Sequence, residues 1–254
     1  MWLRLRQICL VAEKLAPVVD DLEAVFDIEV CFNDPGIVRF GLENALLPIG
    51  NQLLEIVAPI EENTAGGRYL EKRGGDGGYM FITQCDNHAP RRRRVAELGI
   101  RLVNEFERHG FQNMQLHPKD TGGTFFEIDC QTNGLEPDGP WEPAGENWQR
   151  CRRTDVVDAI VAGEIQTPDP DRLAARWSEI AEIPLRDVDG VPTIPFENAD
   201  LRFVLPTDGR PEGLGGIDLR AVDADRARSA ASERGCLGAD GVIHICGTRI
   251  RLVD

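Results

Sequence analysis

Glu127 stands at the centre of an aromatic and β-branched run, Thr124-Phe125-Phe126-Glu127-Ile128-Asp129-Cys130, which reads as a strand. The residues before it, His117-Pro118-Lys119-Asp120-Thr121-Gly122-Gly123, carry a Pro and two Gly and mark a tight turn. Burying a lone carboxylate in such a strand is costly, so Glu127 should be paired, hydrogen-bonded, metal-bound or chemically employed. Two further polar residues occupy similar positions. Gln7 shares a strand face with Leu3, Leu5, Cys9 and Val11, and Glu55 shares one with Leu53 and Val57. In a paired sheet Gln7, Glu55 and Glu127 can converge on one cavity. Two carboxylates there raise each other's pKa unless a cation intervenes, which makes either one a general base near neutral pH. The competing reading leaves them as separate, solvent-facing carboxylates on sheet edges.

The elements that must position these groups follow a recurring order. After the strand around residues 3–12, Val18, Val19, Leu22, Val25 and Phe26 recur at helical spacing, with Pro17 near the first turn. Extended segments are expected at 29–32, 36–42 and 45–48, punctuated by Asp34-Pro35-Gly36, and a strand at 52–59. The order restarts at residue 77 with a strand at 77–84, a helix at 89–99, and strands near 100–104, 114–116 and 124–130. It returns with a strand at 161–167, a helix at 171–180 and strands at 192–196 and 200–205. A last copy has a strand at 216–222, a helix at 225–235 and strands at 242–246 and 248–253. Four βαβββ copies are expected to pair into two curved, cup-shaped domains of α+β class. The expected division is 1–131, a Pro- and Gly-rich linker at 132–155 carrying Trp141 and Trp148, and 156–254.

Composition narrows the function classes. A length of 254 residues with 42% apolar content suits a globular protein with well-formed cores. No apolar run is long enough to span a membrane and no signal peptide is read at the N-terminus, so the expectation is a cytoplasmic protein without a membrane partner. A net charge of −15 argues against nucleic acid as a partner. The seven cysteines never fall into a CxxC spacing and are read as reduced thiols. No HxH or HExxH spacing offers a zinc site.

Three blocks, ALLPIGNQLLEIVAP (45–59), GGRYLEKRGGDGG (66–78) and LHPKDTGGTFFEID (116–129), resemble in wording and order the strands and connections of methylmalonyl-CoA epimerases. These enzymes belong to the vicinal oxygen chelate superfamily. The resemblance covers residues 3 to about 131; beyond residue 156 only the βαβββ outline is similar. It implies a cup in which four strands each supply one ligand to a divalent metal. Carried over residue by residue, those positions are Gln7, Glu55, Glu127 and Met80, the last standing where the family usually has His. An amide and two carboxylates suit Mg, Mn, Co or Ni, with Zn a further candidate, whereas a thioether is a soft and weak ligand.

The resemblance further implies enolate chemistry on a small acid or acyl thioester, such as epimerisation of a methylmalonyl-CoA-like substrate. Glu127 and Glu55 are then the catalytic acids, Glu43 a possible second base, and Lys119 with Met80 the substrate contacts. The alternatives are a metal-free small-molecule-binding protein of the resistance type, or a lyase or dioxygenase with another ion. At the corresponding positions of the second half stand Ala162, Arg202, Gly216 or Ile217, and Arg251, so a metal-free second cup is expected, serving mainly as support. Arg91 to Arg94 read as a solvated helix face, with an anion contact as the minor reading. The expected assembly is a monomer whose halves mimic a dimer, or a homodimer.

Overall fold

The computed structural model describes all 254 residues. The first half runs β1 (Leu3–Val11), α1 (Leu15–Phe26), β2 (Leu42–Ile49), β3 (Gln52–Pro59), α2 (Ala65–Arg73), β4 (Gly77–Cys85), α3 (His88–Glu97), β5 (Leu102–Arg108), β6 (Phe111–Leu116), α4 (Pro118–Thr121) and β7 (Phe125–Gln131). The second runs β8 (Val157–Gln166), α5 (Pro170–Ala181), β9 (Arg186–Val188), β10 (Val191–Pro195), β11 (Asp200–Val204), β12 (Gly213–Ala221), α6 (Ala224–Glu233), β13 (Ile243–Ile245) and β14 (Thr248–Val253). Each half forms a curled seven-stranded sheet, ordered β2-β3-β1-β4-β7-β6-β5 and β13-β14-β12-β8-β11-β10-β9. This is the two-cup α+β architecture predicted from the βαβββ order.

Local chemistry explains the helices. In α1, Val18, Leu22, Val25 and Phe26 form the buried stripe, and the helix stops at Asp27, which turns left-handed at φ 52°. Asp169 and Asp223 cap α5 and α6 by accepting the backbone N–H of Arg172 and Arg226. The extended segment expected at 36–42 is instead a 3₁₀ helix over Pro35–Phe40, capped by Asp34, which accepts Gly36 N–H at 2.8 Å. Asp followed by Pro is a helix-start signature, and it outweighs the extended pattern. The segment at 29–32 contributes one isolated bridge, Phe32 to Leu46. Helix α2 had no counterpart among the expected elements; it is set by Thr64 at its N-cap and Gly74 at its C-cap.

The two sheets share one core. A single apolar cluster of 46 buried residues draws on both halves. At its centre, Trp177 of α5 stacks on Phe126 of β7 at 4.3 Å between ring centroids and meets Phe81 of β4 edge-on. Side-chain amides stitch the halves as well. Gln52 donates to Ile160 O and accepts from Ile160 N, while Asn198 accepts from Leu5 N and donates to Leu5 O. Arg91, fully buried, donates to Ala181 O at 2.6 Å, so this member of the four-arginine run serves the contact between halves. Arg92 and Arg94 pair with Glu105 and Glu179. No helix is long and apolar enough to cross a membrane.

Candidate functional site

The four central strands of the first sheet, β3, β1, β4 and β7, bring the predicted residues onto one concave face. Cys9 pairs with both Glu55 and Met80, and Gln7 and Glu127 both pair with Ile82, so Gln7, Glu55, Met80 and Glu127 point the same way. All four line one cavity of about 240 Å³. Its walls are Tyr79, Phe125, Phe106, Phe111 and Ile37, and Phe40 and Val103 stand exposed at its mouth.

The floor is a chain of hydrogen bonds. Trp141 donates its indole N–H to Gln7 Oε1 at 3.1 Å, Gln7 Nε2 donates to Glu55 Oε2 at 2.8 Å, and Asn44 Nδ2 donates to Glu55 Oε1 at 2.6 Å. Burial raises the Glu55 carboxyl, and bonds from Asn44, Cys9 and Gln7 pull it partly back. Burial raises Glu127 well above the ordinary carboxylate range, reinforced by the charge of Asp129 and by Glu55 across the floor. Asp129 itself rises to about 7, chiefly through burial. Its Oδ1 accepts from Met114 N at 3.0 Å and Asn113 Nδ2 at 3.2 Å, while Oδ2 is buried without a hydrogen-bond partner. Burial and the neighbouring acids thus favour the neutral form of Glu127.

Gln7, Glu55 and Glu127 are the residues that would hold a divalent ion, and they do share the cavity. The donor set does not fit one. Gln7 turns its nitrogen, not its oxygen, toward Glu55; both Glu55 oxygens are already taken; and the Met80 sulfur faces the Gln115 amide at 3.6 Å.

Two other predicted residues lie elsewhere. Glu43 is exposed on the outer face of β2, because strand parity sends its neighbour Asn44 inward instead. Lys119 is exposed in α4 and does not line the cavity; His117 caps that turn by accepting Lys119 N–H. The residues that sequence reasoning missed are Asn44, Asn113, Trp141 and Asp129. Only Asp129 carried a readable signal, since it alternates with Ile128 on the face of Glu127.

Trp141 enters from the segment between the sheets. Arg6, fully buried, lies between the rings of Trp141 and Trp148 at 5.3 and 5.1 Å from their centroids and donates to Asn51 O and Gly139 O. Arg108 pairs with Glu142 of the same segment and lies over Phe106 at the mouth.

The second cup holds charge in place of a cavity floor. Arg202 donates twice to Asp218, at 2.6 and 2.9 Å, and Glu164 receives Arg249 at 2.7 Å and Arg251 at 2.8 Å. Burial works to raise Glu164, but the two guanidiniums outweigh it and leave the carboxyl below its ordinary range. Arg202 and Arg251 thus stand where the first cup has Glu55 and Glu127, neutralised by acids on β8 and β12.

No family model and no curated protein matches the sequence. Among solved structures, a hypothetical protein from Staphylococcus aureus matches 100% of this chain and 99% of its own at TM-score 0.67 and 12% identity. A variant of the Streptomyces coelicolor methylmalonyl-CoA epimerase in complex with 2-nitronate-propionyl-CoA matches 50% of this chain and 96% of its own, at TM-score 0.45 and 23% identity. A methylmalonyl-CoA epimerase in complex with methylmalonyl-CoA and NH4+ matches 55% of this chain and 100% of its own, at TM-score 0.47 and 22% identity. The two-cup α+β fold is shared along the whole length of the chain with the staphylococcal protein.

Proposed function

We propose that the first cup is an isomerase or lyase site that moves a proton at the carbon beside a carbonyl, in a small acid or acyl thioester. The observation that carries this reading is the pair of unlike carboxyl groups across one apolar-walled floor. Glu55 is met by two amide N–H donors that favour its charged form, whereas burial and the neighbouring acids favour the neutral form of Glu127. Environments that separate two acids in this way assign a base and an acid. Glu55 takes the proton from carbon, and Glu127 donates a hydrogen bond to the carbonyl oxygen as it becomes an enolate. No step runs through a metal, because the donors that would hold one are engaged with each other. Resemblance to the epimerase blocks supports the substrate class, and the apolar walls of the cavity suit a small acyl group. The chain supplies both cups, so the reading includes a monomer with an internal pseudo-dimer.

The test is exchange of the carbon-bound proton in deuterated water, followed by NMR on methylmalonyl-type thioesters and free acids. The wild type should exchange, and Glu55→Gln and Glu127→Gln should each slow it about 10²–10⁴-fold. Exchange that survives loss of both carboxylates sinks the mechanism.

A second reading, a small-molecule-binding protein, draws on the aromatic walls formed by Phe106, Phe125 and Tyr79, with Phe40 at the mouth. It predicts ligand binding that is unchanged in Glu127→Gln and accompanied by no exchange.

A further inference from the structure

From the geometry we infer that the first cup is built to work without a divalent ion, and that Trp141 is the positioning residue that commits it to that state. The orientation of each amide on the floor is forced by a neighbour whose chemistry is unambiguous. An indole nitrogen can only donate, so the Gln7 atom that meets Trp141 Nε1 at 3.1 Å must be its oxygen. The Gln7 nitrogen is then the atom left to face Glu55, at 2.8 Å. On the other side a backbone N–H, that of Asp34, meets Asn44 Oδ1 at 2.8 Å, which leaves the Asn44 nitrogen to face Glu55 at 2.6 Å. Glu55 is therefore met by two amide N–H donors, in the space where a cation between Gln7 and Glu55 would need an oxygen.

Turning Gln7 over would set two donors against each other at Trp141 and leave a buried carboxylate oxygen without its donor, a loss of order 1–3 kcal/mol at each site. The turn is also blocked mechanically. Trp141 is 1% exposed, packs edge-on against Phe111 at 5.1 Å, and is backed by the buried Arg6. Met80 adds to the same state by putting sulfur where a nitrogen ligand would serve. The inference concerns the ligand chemistry of the cup and does not depend on whether the cup turns over a substrate.

The test measures ion binding alone, by equilibrium dialysis with MnCl2, CoCl2, NiCl2 and ZnCl2. Wild type, Met80→His and the double variant Met80→His with Trp141→Phe are compared. The wild type should retain no stoichiometric ion. Met80→His should gain little, and the double variant, free to turn the Gln7 oxygen inward, should bind at least about tenfold tighter than Met80→His. Near one ion per chain in the wild type, lost in Glu55→Gln, overturns the inference. Equal binding by the two variants, including none by either, overturns the part given to Trp141.

Should the Trp141 variant fail to fold, NMR of the wild type decides. Added Mn²⁺ should leave the Gln7 side-chain amide and Trp141 indole signals at full intensity, and selective broadening of these two overturns the inference. None of these readouts involves turnover, so a failure of the proton-transfer reading and a failure of this one are told apart.

Discussion

Asp129 lies two residues beyond Glu127 on the same face of β7, and both carboxyl groups are buried, with the Asp129 charge raising Glu127 further. Both bind protons more tightly folded than unfolded. Such groups add stability that is fully present below the unfolded pKa, near 4, and is lost as the pH rises through the folded pKa, about 7 for Asp129. The melting temperature should therefore fall as the pH rises across that window, a tenfold change in proton affinity being worth about 1.4 kcal/mol. Asp129→Asn removes one titrating member and lowers the proton affinity of Glu127, so its melting curve should be flatter between those limits. Calorimetry in a pH series checks this, and equal slopes for the two proteins refute it.

Asn44 holds Glu55 through one of its two amide bonds, and that bond favours the charged carboxylate. Asn44→Ala should raise the proton affinity of Glu55 further. The ascending limb of the pH profile for carbon-proton exchange, set by the base, should move to higher pH with the maximal rate less affected. An unmoved limb would show that Glu55 is not the group titrating there.

Trp177 spans the contact between the halves by stacking on Phe126 and meeting Phe81 and Phe203. Trp177→Ala should cost about 3–5 kcal/mol. Because the core is continuous, both halves should lose structure in one transition. Denaturant titration followed by far-ultraviolet circular dichroism and by tryptophan fluorescence tests this: the two curves should coincide, shifted to lower denaturant. Separated transitions would mean independent halves.

Glu164 is the acid that Arg249 and Arg251 share, with Arg202 at 3.6 Å. Glu164→Gln leaves three guanidiniums with too little compensating charge, and the cost expected for breaking a buried pair is about 3–5 kcal/mol. The lower end applies, since the Arg251 side chain is 37% exposed and water screens it. Denaturant unfolding measures the loss, and a change near zero would mean the cup rearranges freely.

Period-two alternation placed Glu55 and Glu127, but in β1 a register shift between Leu5 and Gln7 sends Leu3 and Leu5 into the shared core with Ile8 and Leu10, so that of the expected same-face neighbours Gln7 keeps only Cys9 and Val11. Glu43 came from the resemblance and not from parity, and it lies exposed on β2. The Asp-Pro-Gly turn hides where β2 begins, and one residue of uncertainty exchanges Glu43 for Asn44. Trp141 was illegible for a different reason: it lies in a segment without periodicity, and its position depends on Arg6, far away in sequence. The acids of the second cup escaped notice because the ligand positions were carried over singly, whereas Glu164 and Asp218 lie two residues farther along the same strands.

The Trp141 segment leaves β7 of one sheet and enters β8 of the other, so the floor of the first cup is tied to the frame of the second. Thermodynamic linkage then operates across the whole chain. A ligand seated on that floor stabilises every element that unfolds with it, by RT ln(1 + [L]/Kd). A tryptophan signal arising from Trp177, remote from the cavity, should consequently report occupancy of the first cup, and a thermal-shift screen needs no probe placed in the site itself.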